Sequence, residues 1–187
     1  MEMMNSVEIE NSPNIKIIDF CDDKKIPYLK VYVDTNNPEK KGYPSGSFAG
    51  WTKKKYDELM EYNKINNPKH NTLFINLSNS DYFVIDIDDK ALGKNKYELY
   101  GSSWETKSIS RGLPHLWRLK DSNSEYGSNT INKDKDKVDI ITLLIYEKID
   151  GYFYNTEHTM PIEDNPNKDN TKKKVIKKNV KKNVKKN

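Results

Sequence analysis

The sequence has one cysteine, Cys21, which excludes a disulfide framework, a cysteine zinc ribbon and a CxxC redox pair. Its longest apolar run, Ile140 to Tyr146, is about seven residues, far short of the roughly 18 needed to span a bilayer. No membrane partner is therefore expected. The start, MEMMNSVEIENS, has neither a cationic flank nor an apolar stretch, so no secretory signal is expected and the protein reads as intracellular. No GxxxxGK(S/T) occurs, which excludes a P-loop ATPase within the chain. No repeat of roughly 20–50 residues recurs, which excludes solenoids and propellers.

What is present divides unevenly. The net charge is +4, but nine lysines and no acid lie between Lys172 and Asn187, so residues 1–171 alone carry −5. The body is mildly acidic, and a nucleic-acid partner has to be argued from a site rather than from overall charge. Twelve Tyr, 5 Phe and 3 Trp in 187 residues supply a core, which argues against wholesale disorder. The length fits one ordinary domain, or two small lobes sharing a core.

Along the chain, residues 1–14 are polar and expected to be disordered, and 161–187 form an Asn-, Asp- and Lys-rich tail ending in KKNV repeats, also expected to be disordered. Between them, 15–160 read as one α+β domain. Strands are expected at Tyr28–Val33, Thr72–Leu77, Tyr82–Asp88, Trp104–Ile109, His115–Leu119 and Tyr152–Tyr154, where β-branched and aromatic residues concentrate. Pro and Gly make 34–50 a loop. Thr52 is placed to cap a helix whose apolar stripe is Tyr56, Leu59, Met60 and Ile65. Residues 121–137 read as a polar loop. Val138–Ile149 fits a strand, a helix, or a strand turning into a helix.

Three constellations carry chemistry. In FVIDIDD, residues 83–89, Asp86 and Asp88 share one face of a strand, roughly 7 Å apart, while Phe83, Ile85 and Ile87 share the other. Paired carboxylates repel unless a cation sits between them, and hard oxygen ligands favour Mg²⁺ or Mn²⁺ over zinc. An EF-hand is excluded, because Lys90, Ala91 and Tyr97 occupy its fifth, sixth and twelfth loop positions. In KSISRGLPHLW, residues 107–117, Ser110, Arg111 and His115 surround a tight turn that offers a hydroxyl, a guanidinium, backbone N–H groups and an imidazole to a phosphate chain. In KVDII, residues 137–141, Asp139 interrupts an apolar stretch and needs a cation, a partner or water, or else serves as a helix N-cap.

In this order and spacing the three motifs resemble those of the archaeo-eukaryotic primase superfamily: an hDhD strand, a histidine-bearing phosphate motif and an hD motif, where h is apolar. Here these are Val84 to Asp88, Ser110 to His115, and Val138-Asp139. The sequence also resembles the primase-polymerase domain of primase-helicases from large DNA viruses, in the Thr106 to His115 segment, in Tyr146-Glu147 and in Tyr152 to Asn155. Leu113, where relatives place a serine two before the histidine, departs from the pattern.

The resemblance implies a two-lobed fold with a catalytic sheet like that of the RNA-recognition motif, residues 15–75 supplying one lobe and 76–160 the other. It implies template-directed nucleotidyl transfer in DNA replication, with Asp86, Asp88 and Asp139 holding Mg²⁺ or Mn²⁺. His115 would contact the incoming triphosphate, with Ser110 and Arg111 as weaker contacts. The implied partners are a single-stranded nucleic-acid template, nucleoside triphosphates and a helicase on a separate chain. Lys40, Lys41, Lys53, Lys54 and Lys55 could line the template path, and Lys172, Lys173, Lys174, Lys177 and Lys178 in the tail could bind nucleic acid. Two other readings stand beside it. One is a nucleic-acid-binding replication accessory module without activity. The other is a nucleotide-sugar transferase, since Asp86-Ile87-Asp88 also fits a DxD motif.

Overall fold

The computed structural model describes residues 14–36, 53–65, 67–126, 131–133 and 138–164. In chain order the elements are α1 (Ile17–Asp23), β1 (Tyr28–Val31), α2 (Tyr56–Asn63), β2 (Thr72–Asn76), β3 (Tyr82–Ile87), α3 (Lys90–Lys94), α4 (Lys96–Tyr100), β4 (Glu105–Lys107), β5 (Pro114–Lys120), β6 (Ile131–Lys133), β7 (Val138–Ile141), β8 (Leu144–Lys148) and β9 (Ile162–Glu163). The class is mixed α+β, with antiparallel sheets and few helices, as the sequence indicated.

Two sheets form. The smaller has the order β1-β2-β8, and the larger β4-β5-β3-β7-β6, with β9 lying parallel to the end of β5. Alternation decides what lies between them. From the larger sheet, Val84 and Trp117 point inward; from the smaller, Tyr28, Leu73, Ile75 and Ile145 do. α1 closes this shared core with Ile17, Phe20 and Cys21. The far face of the larger sheet buries Phe83, Ile85, Ile87, Leu116, Val138 and Ile140, against Leu92, Tyr100 and Tyr126. The far face of the smaller buries Leu29, Val31 and Phe74 under Leu59 of α2.

Local chemistry explains the helix ends. α2 begins at Tyr56, with Lys55 in the N-cap position; Glu58 reaches back to accept the Lys55 N–H at 2.7 Å, so an acid inside the first turn does the capping. The expected cap, Thr52, lies outside the described residues. Ile65 is 69% exposed and does not belong to the apolar stripe, because the helix already ends at Asn63. The Asn63 amide explains that stop: it donates to Tyr28 O and accepts from Lys30 N, each at 2.9 Å, pairing with the edge of β1. α3 is capped by Asp89, whose carboxylate accepts from the Ala91 and Leu92 N–H groups.

Several expectations are corrected. Val138–Ile149 is neither one strand nor a helix: it is β7 and β8, and the two residues between them carry the chain from the larger sheet to the smaller. For that reason the division at 75/76 fails, since β8 completes the sheet begun by β1 and β2. The expected loop 121–137 contains β6, paired with β7. Tyr152 and Tyr154 make single bridges, to Lys16 and Glu105, rather than a strand. Order continues past residue 160: β9 pairs with Leu119 and Lys120, and Glu163 accepts from Arg118 Nε at 2.8 Å. The fully buried Arg118 guanidinium also donates to Tyr100 O, so a charge-assisted contact holds residues 161–164 where composition alone indicated disorder.

Candidate active site between the two sheets

Register builds the site. On β3, Asp86 is the Cα partner of His115 on β5 and of Asp139 on β7. The three residues therefore stand side by side across the centre of the larger sheet. Directly opposed side chains on neighbouring antiparallel strands have Cβ atoms about 5 Å apart. The face they share is the inner one, where Val84 and Trp117 belong to the core. Asp86 marks the point along β3 at which this face turns from apolar to charged, and there the sheets part to leave a cleft of about 340 Å³.

Asp86, Asp88, Asp139, Ser110, Arg111 and His115 all line that cleft. The structure thus brings together every site residue expected from the three motifs. Val33, Ile141, Leu144 and Tyr146 add apolar and aromatic lining to the cleft. The Tyr146 ring stacks on Phe74 at 4.4 Å between centroids, which holds it in place.

The β4–β5 turn is closed from within. Ser108 N donates to Leu113 O, Gly112 N to Ser108 O, and Leu113 N to the Ser108 hydroxyl. Gly112, at φ +65°, supplies the left-handed residue the turn requires. Ser108, rather than Ser110, fastens the loop, and Ser110 is left exposed at the cleft. Leu113, two before His115, is buried and serves packing. Arg111 reaches across to Asp88, with Nη2 to Oδ1 at 2.5 Å.

His115 is 4% exposed, and both its nitrogens face carboxylates. Nδ1 lies 2.8 Å from Glu147 Oε1, and Nε2 lies 3.4 Å from Asp86 Oδ1. Burial alone pushes the imidazole pKa down, but the Glu147 charge and the polar contacts with Asp86 and Glu147 overcome it and raise the value to about 10. The two carboxylates thus favour the imidazolium form of the ring. Glu147 comes from β8, in the other sheet, and is fully buried. The Thr106 hydroxyl also donates to its Oε1, and the Trp117 indole N–H donates to Thr106 Oγ1 at 3.0 Å.

Sequence reasoning noted Tyr146-Glu147 and Thr106 only as parts of a resemblance and gave them no role. The available signal was an acid in alternation with Ile145, which puts a charge on an inward strand face. Asp34 and Thr35, in the segment that follows β1, also line the cleft and were not anticipated. Lys53, Lys54 and Lys55 do not line it; Lys40, Lys41 and the tail lysines lie outside the described residues.

Among the described residues, no group of three or more His, Cys, Asp or Glu side chains converges closely enough to hold a metal ion. The donor set fits a hard cation in a narrower sense. Asp86 Oδ1 is buried without a hydrogen-bond partner, and Asp139 stands opposite. Mg²⁺ is commonly held by one or two carboxylates plus substrate phosphates rather than by an all-protein cage. Asp88 would join such a set only by releasing Arg111.

The raised His115 pKa has a measurable consequence. A group held charged by folding stabilises fully below its ordinary value of 6.5, and that contribution disappears as pH rises to about 10. The stability gap between wild type and His115→Gln, measured by urea unfolding, should therefore narrow between neutral pH and pH 10. A gap constant over that range would show that the ring is not held charged. No family model matches the sequence, and no curated protein matches it.

Proposed function

We propose that the protein carries out template-directed nucleotidyl transfer of the DNA primase/polymerase type. The observation that supports this most is the side-by-side placement of Asp86 and Asp139 on adjacent central strands, at the mouth of a cleft whose far rim is the Ser110–Arg111 turn. Mg²⁺ or Mn²⁺ held by Asp86 and Asp139, with Asp88, would lower the pKa of a primer 3′-hydroxyl and neutralise the triphosphate. The protein supplies the rest. Arg111 and Ser110 border the cleft, and a polyphosphate can accept from both. A guanidinium moved from Asp88 to a phosphate exchanges one anionic acceptor for another, so substrate binding would free Asp88 at little cost. Val33, Leu144 and Tyr146 offer an apolar wall for the sugar and base. The test is a primer-synthesis and extension assay on a single-stranded template with Mg²⁺ and with Mn²⁺. Incorporation with either cation supports the reading, and none with both overturns it.

The basic tail belongs to the same reading. Each lysine that neutralises a phosphate on a single strand steepens the log–log salt dependence of binding by about 0.7, and roughly three to five simultaneous contacts give a slope change of about 2 to 4. Truncation after Asn170 should weaken template binding at low salt and flatten its salt dependence. Equal affinities and slopes would assign the tail to import or partner recognition, leaving the catalytic reading untouched.

A further inference from the structure

His115 has two polar atoms, and both are committed. Nδ1 meets Glu147 Oε1 at 2.8 Å, and Nε2 lies 3.4 Å from Asp86 Oδ1, a charge contact without hydrogen-bond geometry. The ring is 4% exposed, between a strand on each side, so it has little room to swing toward a ligand. Glu147 is the less expected member. It is 0% exposed, its Oε2 has no hydrogen-bond partner, and it reaches His115 from the other sheet. A carboxylate buried this deeply costs several kcal/mol unless a cation matches it, and the imidazole is the cationic group on it. The Thr106 hydroxyl, itself held by Trp117, fixes the same oxygen. A buried chain thus runs from the core through Thr106, Glu147 and His115 to Asp86.

We propose that Glu147 is a positioning residue: it grips Nδ1 of His115 from behind, so that Nε2 is held 3.4 Å from Asp86 Oδ1 and keeps that carboxylate in place for a divalent cation. His115 then serves the cation ligand, not the phosphate chain that the resemblance assigns to it. The inference rests on the proposed nucleotidyl-transfer site for its cation and on the buried chain for its geometry, and the two are separable by experiment.

Two measurements on the full-length chain test it. In imidazole ¹⁵N–¹H NMR, wild type should show protons on both nitrogens of His115. Asp86→Asn should move the Nε2 signal while leaving Nδ1 in place, and the isosteric Glu147→Gln should move both. An Nε2 signal indifferent to both substitutions overturns the proposal. In Mn²⁺ titrations followed by electron paramagnetic resonance, Glu147→Gln should weaken the ion by roughly 10- to 100-fold, the range for losing an outer partner of a ligand. Nucleotide KM at saturating cation should stay within about twofold. A raised nucleotide KM with unchanged Mn²⁺ affinity would return His115 to the phosphate and overturn the proposal. A fall in thermal stability with both constants unchanged would make Glu147 purely structural and would overturn it too. If wild type binds no Mn²⁺, the nucleotidyl-transfer reading falls, and the NMR result alone decides whether Glu147 fixes His115 on Asp86.

Discussion

Asp86→Asn should lower kcat for nucleotide incorporation by on the order of 10³ or more, with template affinity unchanged, because it removes an anionic cation ligand without removing a nucleic-acid contact. Three features single out Asp86 from the other carboxylates. Its Cα is paired with both His115 and Asp139. Its Oδ1 is buried without a hydrogen-bond partner. It stands where the inner face of β3 leaves the core and meets the cleft. The substitution keeps the shape of the side chain and relieves the repulsion between carboxylates opposed on neighbouring strands, so the fold should survive. Single-turnover incorporation, read beside thermal unfolding, checks both halves. Activity within threefold of wild type would remove Asp86 from the chemistry. Asp139→Asn should follow the same pattern, since the structure places it on β7 in the cleft and not at a helix cap.

The largest loss of stability is expected at Trp117. Trp117→Ala should cost about 3–5 kcal/mol, the range for truncating a large buried aromatic. The side chain is fully buried and packs on Phe153 at 5.2 Å, Phe20 at 5.9 Å and Tyr82 at 6.4 Å between ring centroids. These partners come from three separate stretches of chain, so no single local adjustment refills the space. Domains of this size are stable by about 5–15 kcal/mol, and a loss of this order removes roughly a fifth or more of that. Trp117→Phe separates packing from hydrogen bonding: it keeps a ring but leaves Thr106 without the indole N–H. Chemical unfolding of the three proteins gives the comparison; a loss below about 1 kcal/mol in Trp117→Ala would mean the inter-sheet core is not where the stability resides.

Local chemistry made much of this legible in the sequence. The alternation in FVIDIDD places Phe83, Ile85 and Ile87 on one face and Asp86 on the other whatever β3 pairs with, because a strand's period is two. The Gly112 turn and the strand after it likewise depend on neighbours in the chain. Acidity at Asp86, Asp88 and Asp139 raised the expectation of a cation through the cost of crowding or burying like charges, and the structure gathers the three at one cleft. What followed from the residues themselves was the faces and the turns. The tertiary structure decided which strands became neighbours, since register is set by contacts far apart in sequence. It put His115 and Asp139 on either side of Asp86, and it split Val138–Ile149 between two sheets. That split carried Glu147 across the core to His115, a contact between residues 32 apart that no local pattern encodes. It also kept 161–164 ordered through Arg118, because a short polar segment acquires structure only from the partner it meets.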